Sequence, residues 1–355
     1  MKIAPIVKAI DAYNKKSGTV GIEYMLVHTG QHYDHKMSGS FFEQLGIPEP
    51  DANLEAGGGT QAEQTAAIMI RFEKFLLNNP ADLVVVVGDV TSTMACTIAA
   101  KKLCIKVAHV EAGIRSGDME MPEEINRIVT DSICDYFYTT SIEAGVNLQT
   151  AGVAADRIFF VGNTMIDTLI GNLDRLIVPD VVHQYGLING KYWVLTMHRP
   201  ANVDNIQVLE RYLHILSENS GGYPIIFPVH PRTLKNLTEL KNRYPHILPI
   251  DPLSYLEFIY LVKNCLAVVT DSGGITEEAT VLKVPCMTLR NSTERPETVT
   301  VGTNELLGAS PDRLPAYMEL ALTGKWKTGA TPALWDGKSG ERITESIARL
   351  FLKKQ

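Results

Sequence analysis

A chain of 355 residues that is 45% hydrophobic and 21% charged, with 27 Gly and 18 Pro, has globular proportions, not those of a disordered, fibrous or membrane chain. Thirty-three Lys and Arg against 40 Asp and Glu give a net charge of −7, which argues against a nucleic-acid footprint. At about 100–200 residues per domain, the length predicts two domains, each able to bury a core.

Residues 1–16 read as an amphipathic helix, although an α/β domain should open with a strand. A strand is expected over 22–28, and Gly57–Gly59 then precede a helix over 61–79. From there short β-branched runs alternate with amphipathic stretches. Strands are expected at 83–88, 105–110, 136–140, 158–162, 193–197, 225–230, 267–270 and 286–289. Helices are expected between them at 91–103, 123–133, 142–151, 164–175, 204–217, 253–263 and 275–282, with a last one at 340–353. This is the βαβ pattern of parallel sheets covered on both faces, and Leu83–Val87 is apolar throughout, as double coverage requires. Such runs are too short to span a bilayer, and no signal peptide opens the chain. The segment 176–191 is broken by Pro179, Gly186 and Gly190, which makes it the expected interdomain crossing. The fold class is therefore α/β, two doubly wound Rossmann-like domains facing across a cleft, with ligand chemistry at the C-terminal strand ends. The expected bounds are 1–175 and 176–339, with 340–355 a C-terminal helix free to cross back to the first domain. Cys96, Cys104, Cys134, Cys265 and Cys286 are odd in number and lack CxxC spacing, so free thiols in a reducing cytosol are expected.

The densest polar cluster runs from 84 to 127. G-D-V-T-S-T puts Asp89 at one strand-to-helix turn, and H-V-E-A-G-I-R puts His109, Glu111 and Arg115 at the next. P-E-E-I-N-R then opens a helix with Glu123, Glu124 and Arg127. Strand ends of one sheet point the same way, so Asp89, Glu111 and Glu123 can converge. Each also has a structural reading: Asp89 as a helix cap, Glu123 and Glu124 as partners of the helix dipole, Glu111 as a paired acid. In the second half, T-M-H-R-P places His198 and Arg199 just past a strand, and P-V-H-P-R places His230 and Arg232 past another. The sharpest local signal is T-D-S-G-G-I-T-E-E at 270–278. A Ser-Gly-Gly turn opening a helix offers free N–H groups and a positive dipole end to phosphate, and Glu278 one turn further on can accept ribose hydroxyls. A plain glycine turn with acidic first-turn residues remains the other reading. Neither a G-x-G-x-x-G nor a P-loop occurs, and the histidines lack close-spaced metal partners.

Taken together these motifs resemble the non-hydrolysing UDP-N-acetylglucosamine 2-epimerases of the GT-B fold, over nearly the whole chain. The resemblance rests on A-P-I-V-K-A at 4–9, T-G-Q-H at 29–32, G-D at 88–89, H-V-E-A-G-I-R-S-G at 109–117 and P-E-E-I-N-R at 122–127. It continues through V-G-N-T-M-I-D at 161–167, H-R at 198–199, T-D-S-G-G-I-T-E-E at 270–278 and R-N-S-T-E-R-P-E at 290–297.

The resemblance implies reversible inversion at C2 of a UDP-amino sugar, by elimination of UDP, a 2-acetamidoglucal intermediate and re-addition. It implies Asp89, Glu111, Glu123 and His198 as catalytic residues. It implies Arg127, Arg199, His230, Ser272, Gly273, Gly274, Glu278 and Arg295 as UDP or substrate ligands. In some bacterial members the T-G-Q-H region, here with Gln31 and His32, binds substrate as an allosteric activator. The other implications are no redox cofactor or catalytic metal, a cytoplasmic homodimer, and no nucleic-acid or membrane partner. This sequence departs from the family in three ways. The first strand ending in G-T-R-P is not in the sequence, so the first domain is expected to be short of about 5–15 residues. G-D-V-T-S-T replaces G-D-T-T-T-T. Met197 stands where Gly is usual, and 57–65 lacks an Arg often found there. These differences leave room for a related UDP-acetamido sugar or uronic acid as substrate. A GT-B glycosyltransferase, a hydrolysing relative or an inactive nucleotide-sugar binder are the competing readings.

Overall fold

The computed structural model describes residues 1–17, 21–30, 44–229, 233, 237 and 243–352. The chain divides into two compact units, Met1–Gly171 with Ala333–Gln355, and Asn172–Pro332. The described strands of the first unit are β1 (Val27–His28), β2 (Ala52–Asn53), β3 (Leu83–Val87), β4 (Lys106–Val110), β5 (Tyr136–Thr139) and β6 (Ile158–Phe160). Those of the second are β7 (Trp193–Thr196), β8 (Ile225–Pro228), β9 (Ile247–Ile250), β10 (Ala267–Thr270), β11 (Cys286–Thr288) and β12 (Asn304–Leu306).

In the first unit β3, β4, β5 and β6 form a parallel sheet in chain order, with Val87 level with Val110 and Val110 with Tyr138. Alternation along the strands sends residues to opposite faces. Val84, Val86, Val107 and Phe137 share one core with Ile68, Phe72 and Leu76 of the Gln61–Asn78 helix. Ala108, Val110 and Tyr138 share another with Ile6 and Ile10 of the Ala4–Ser17 helix and Ile343 and Ile347 of the Ser339–Phe351 helix. That last helix is tied down where the Asp167 carboxylate accepts the Gly340 N–H at 2.7 Å. Among the described residues β1 and β2 pair in a parallel sheet of their own. The strand expected over 22–28 is thus reduced to Val27–His28.

The second unit is one parallel sheet in the order β12-β11-β10-β7-β8-β9. The chain winds outward from β7 through β9, then returns to the other side of β7 for β10 to β12. Strand order reverses between β7 and β10, and the crevice at such a switch point is where doubly wound sheets bind ligands. Trp193, Leu195, Ile225, Phe227, Val269 and Met287 fill one face, while Val194, Ile226, Val268 and Cys286 fill the other. Sequence patterning did not anticipate β2, β9 and β12, which are short, polar or, in β9, interrupted by Pro249. Pro249 is tolerated because β9 is an edge strand. The segment 176–191 lies inside the second unit and contains a helix, Asp180–Gln184, whose Val181 is buried in the second of these cores. No helix of the described residues is long and apolar enough to cross a membrane.

Candidate active site

In the first unit the C-terminal ends of β3 and β4 are neighbours, so the residues following them emerge side by side. Asp89 follows β3 and makes an ion pair with Arg127 at 2.5 Å, and its carbonyl accepts the Asn126 side-chain N–H at 2.9 Å. Glu111 follows β4 and is buried, with the left-handed backbone φ of +71° that non-glycine residues rarely adopt. Its N–H and that of Ala112 both donate to the Tyr138 carbonyl, which fixes the turn. Lys2 donates its ammonium to Glu111 Oε2 at 2.7 Å, and a Cβ at Gly88 would stand 3.2 Å from the same Nζ. A cation therefore lies against both strand ends.

The Pro122–Ile133 helix brings in the third acid and separates the two glutamates. Glu124 turns inward, accepts the Ser116 and Gly117 N–H groups at 2.9 and 3.1 Å, and pairs with Arg127 at 2.9 Å. Burial opposes its charge, and those donors outweigh burial, holding the carboxyl below the usual carboxylate range. Glu123 is half-buried, and its side chain makes no hydrogen bond or ion pair with a described residue. Glu124 is thus held within the framework of the first unit, and Glu123 is not. Asp89 caps no helix, since the N-cap of the Thr91–Lys102 helix is Val90. His109 is fully buried between Asp131 (2.7 Å) and the Gly88 carbonyl (2.8 Å), and Arg115 also pairs with Asp131. Both are framework residues that aim the β4 turn.

In the second unit the switch point joins His198 and Asp271. Asp271 has no solvent exposure and receives His198 Nδ1 at 2.8 Å, the Arg199 N–H at 2.9 Å and the Asn202 side-chain amide at 3.0 Å. Burial works against its charge, but His198, the Arg199 N–H and Asn202 prevail and hold the carboxyl below the usual range. A carboxylate only accepts, so His198 Nδ1 is the donor of this pair, while the side chain stays 47% exposed. The Arg199 Nε–H donates to the Asp271 carbonyl at 3.2 Å.

Next to it Ser272, Gly273 and Gly274 lead into the Gly274–Leu282 helix, with the Ser272 N–H donated to Thr270 Oγ1. Glu278 is buried on that helix, where Tyr255 donates its hydroxyl to Oε1 at 2.9 Å. Burial pushes the Glu278 carboxyl up to about 8; the Tyr255 hydrogen bond pulls it down and Glu277 pushes it further up. Arg295 is buried and its Nε–H is held by Glu277. His230, Gln31 and His32 lie outside the described residues.

The structure adds Lys2, Asp271 and Tyr255 as partners of Glu111, His198 and Glu278, and sequence reasoning singled out none of the three. Lys2 falls in the stretch read as an amphipathic helix, and nothing local signals its partner 109 positions away. Asp271 carried a signal, because an aspartate directly after a fully buried strand and before Ser-Gly-Gly faces the same crevice as the preceding strand's end.

A family model described as UDP-N-acetylglucosamine 2-epimerase matches residues 15–348. The UDP-N-acetylglucosamine 2-epimerase of Methanocaldococcus jannaschii is 43% identical over 98% of this chain and 95% of its own length. A Pseudomonas aeruginosa UDP-2,3-diacetamido-2,3-dideoxy-D-glucuronate 2-epimerase is 38% identical over 92% of this chain and 91% of its own. The crystal structure of the M. jannaschii epimerase in complex with UDP-GlcNAc and UDP matches with a TM-score of 0.85 at 42% identity, covering 98% of this chain and 96% of that one.

Proposed function

The chain belongs to the UDP-N-acetylglucosamine 2-epimerase family, and from that premise we propose that it interconverts UDP-N-acetylglucosamine and UDP-N-acetylmannosamine. The C2 proton has no adjoining carbonyl, so its removal must be coupled to departure of UDP. A base takes the C2 proton as the C1–O bond breaks, which leaves a C1=C2 double bond in a 2-acetamidoglucal. UDP oxygen then re-forms the bond to C1, and a proton reaches C2 on the opposite face. Asp89, Glu111 and Glu123 of the first unit are the proton-transferring candidates, with Arg127 holding Asp89. In the second unit Arg199, Ser272 and the N–H groups of Gly273 and Gly274 suit a departing diphosphate, His198, held by Asp271 at Nδ1, is the proposed UDP-proximal histidine, and Glu278 suits the ribose. His230 and Arg295 complete the proposed ligand set, and Gln31 and His32 a second, activating substrate site.

The observation that carries this reading is a buried glutamate in a strained turn, beside a second carboxylate and a lysine at adjoining strand ends. Incubation with UDP-N-acetylglucosamine in D₂O, followed by NMR, tests it. Deuterium at C2 with a manno product is expected. Accumulation of free UDP and sugar would assign a hydrolase, and an unchanged spectrum would remove the epimerase. A second reading, a UDP-diacetamido uronic acid as the sugar, draws support from the P. aeruginosa relative. Its kcat/KM in the same assay decides between the two.

Glu278 gives the proposed site a pH signature. Ribose hydroxyls donate to the carboxylate, so binding favours the charged form of a group pushed up to about 8. UDP affinity should therefore rise with pH below about 8, by up to about tenfold per unit, and level off above it. The sign for stability is opposite: the folded chain holds this proton from the ordinary 4.5 up to about 8, so its contribution falls as pH rises through that window. Calorimetric titrations across pH check this, and Glu278→Gln should flatten the binding profile.

A homodimer is the assembly we infer. Supporting it, Ile70 of the Gln61–Asn78 helix is 67% exposed and Ile125 of the Pro122–Ile133 helix 45%. They flank an apolar groove also lined by Met69 and Met94. About a two-fold axis, the exposed Ile70 and Ile125 of each copy can pack against the groove of the other. Sedimentation should show a dimer that Ile70→Glu with Ile125→Glu turns into a monomer. Five unbridged cysteines, four of them buried, accord with a reducing cytosol as its compartment.

A further inference from the structure

β10 and β11 run parallel with Thr270 level with Thr288, so the loops that follow them emerge side by side. The loop after β10 holds the Ser-Gly-Gly turn, and the loop after β11 carries Arg290 two residues past the strand. A Cβ at Gly273 would lie 3.2 Å from Arg290 Nη1 and 3.7 Å from Glu294 Oε2. A guanidinium and a carboxylate thus stand directly over the backbone at the first turn of the Gly274–Leu282 helix, where the N–H groups point outward. The Arg290 side chain is 5% exposed, and Glu294 holds both its terminal nitrogens, at 3.0 and 2.9 Å.

This is a bidentate clamp of the kind a guanidinium also makes with phosphate. A buried guanidinium left without an anion is costly, and a carboxylate at a helix N-terminus occupies ground that suits a phosphate. The geometry points to Arg290 as a ligand of the nucleoside diphosphate and to Glu294 as its internal competitor, exchanged for phosphate oxygens when the diphosphate binds. Glu294 limits how tightly the diphosphate is held. That suits a reaction in which the same group must leave and be returned to the sugar.

The assignment of Arg290 rests on the second unit being the nucleotide site, and the test separates the two. UDP and uridine are titrated separately by ligand-observed NMR against the wild type, Glu294→Gln and Arg290→Gln. Glu294→Gln is expected to bind UDP about 5–10-fold more tightly, and Arg290→Gln about 30-fold or more weakly. Uridine affinity should stay unchanged in both. Arg290→Lys, which keeps the charge and loses the fork, should fall between. Unchanged or weakened UDP binding by Glu294→Gln overturns the exchange, and that variant decides alone if Arg290→Gln does not fold. Equal weakening of uridine and UDP by Arg290→Gln would assign it a structural role. Failure of the wild type to bind either ligand would instead remove the nucleotide site itself.

Discussion

Glu111→Gln should abolish measurable C2 exchange, a loss of about 10³-fold or more in turnover, while UDP affinity stays within about threefold. The amide keeps the size and one acceptor oxygen of the carboxylate, so the turn after β4 survives. The charge that Lys2 pairs with is gone, and so is a group able to carry a proton. Deuterium incorporation from D₂O and a separate UDP titration measure the two quantities. Exchange at the wild-type rate would remove Glu111 from the mechanism. Loss of UDP binding together with exchange would mark it as structural. Lys2→Met supplies a contrast, because it removes the cation 2.7 Å from Glu111 and leaves the carboxylate in place. Its turnover should fall less than that of Glu111→Gln.

Asp271→Asn should lower kcat by about 10²-fold or more, because it changes what His198 presents. Asp271 accepts from His198 Nδ1, from the Arg199 N–H and from Asn202, and every one of these partners donates. An amide turns one of the two accepting oxygens into a donor facing donors. Either His198 adopts the other tautomer, with Nε2 protonated and Nδ1 accepting, or a buried N–H loses its partner at about 1–3 kcal/mol. The first outcome alters the pH profile of kcat with little change in melting temperature. The second lowers thermal stability and leaves the profile of the remaining activity intact. Measuring both separates them, and full activity with an unaltered profile would show that His198 needs no orienting partner.

Much of the second unit's candidate site was legible in the sequence because its pieces are local. An apolar strand, a Ser-Gly-Gly turn and a helix carrying Glu278 follow one another within a dozen residues, so propensity and phosphate chemistry suffice to read them. Asp89 and Glu111 could be placed at strand ends for a similar reason: Glu111 directly follows β4, and Asp89 stands two residues past β3. P-E-E at 122–124 was not decidable from residue type. Consecutive helix positions point about 100° apart, and only the docking of that helix decides that Glu124 meets the Ser116 and Gly117 N–H groups while Glu123 does not.

The sequence by itself determined the alternation of buried strands and amphipathic helices, hence parallel sheets covered on both faces, and the gathering of candidate site residues at their C-terminal ends. Hydrophobic period and turn residues are local properties, and they constrain local geometry. Only the tertiary structure decided the partners: Lys2 with Glu111, 109 positions apart, and the His198 backbone with the Asp271 carboxylate, 73 positions apart. Such pairs depend on which strands become neighbours and in what register. In the second unit that is the reversal of strand order between β7 and β10, which no local window of sequence contains.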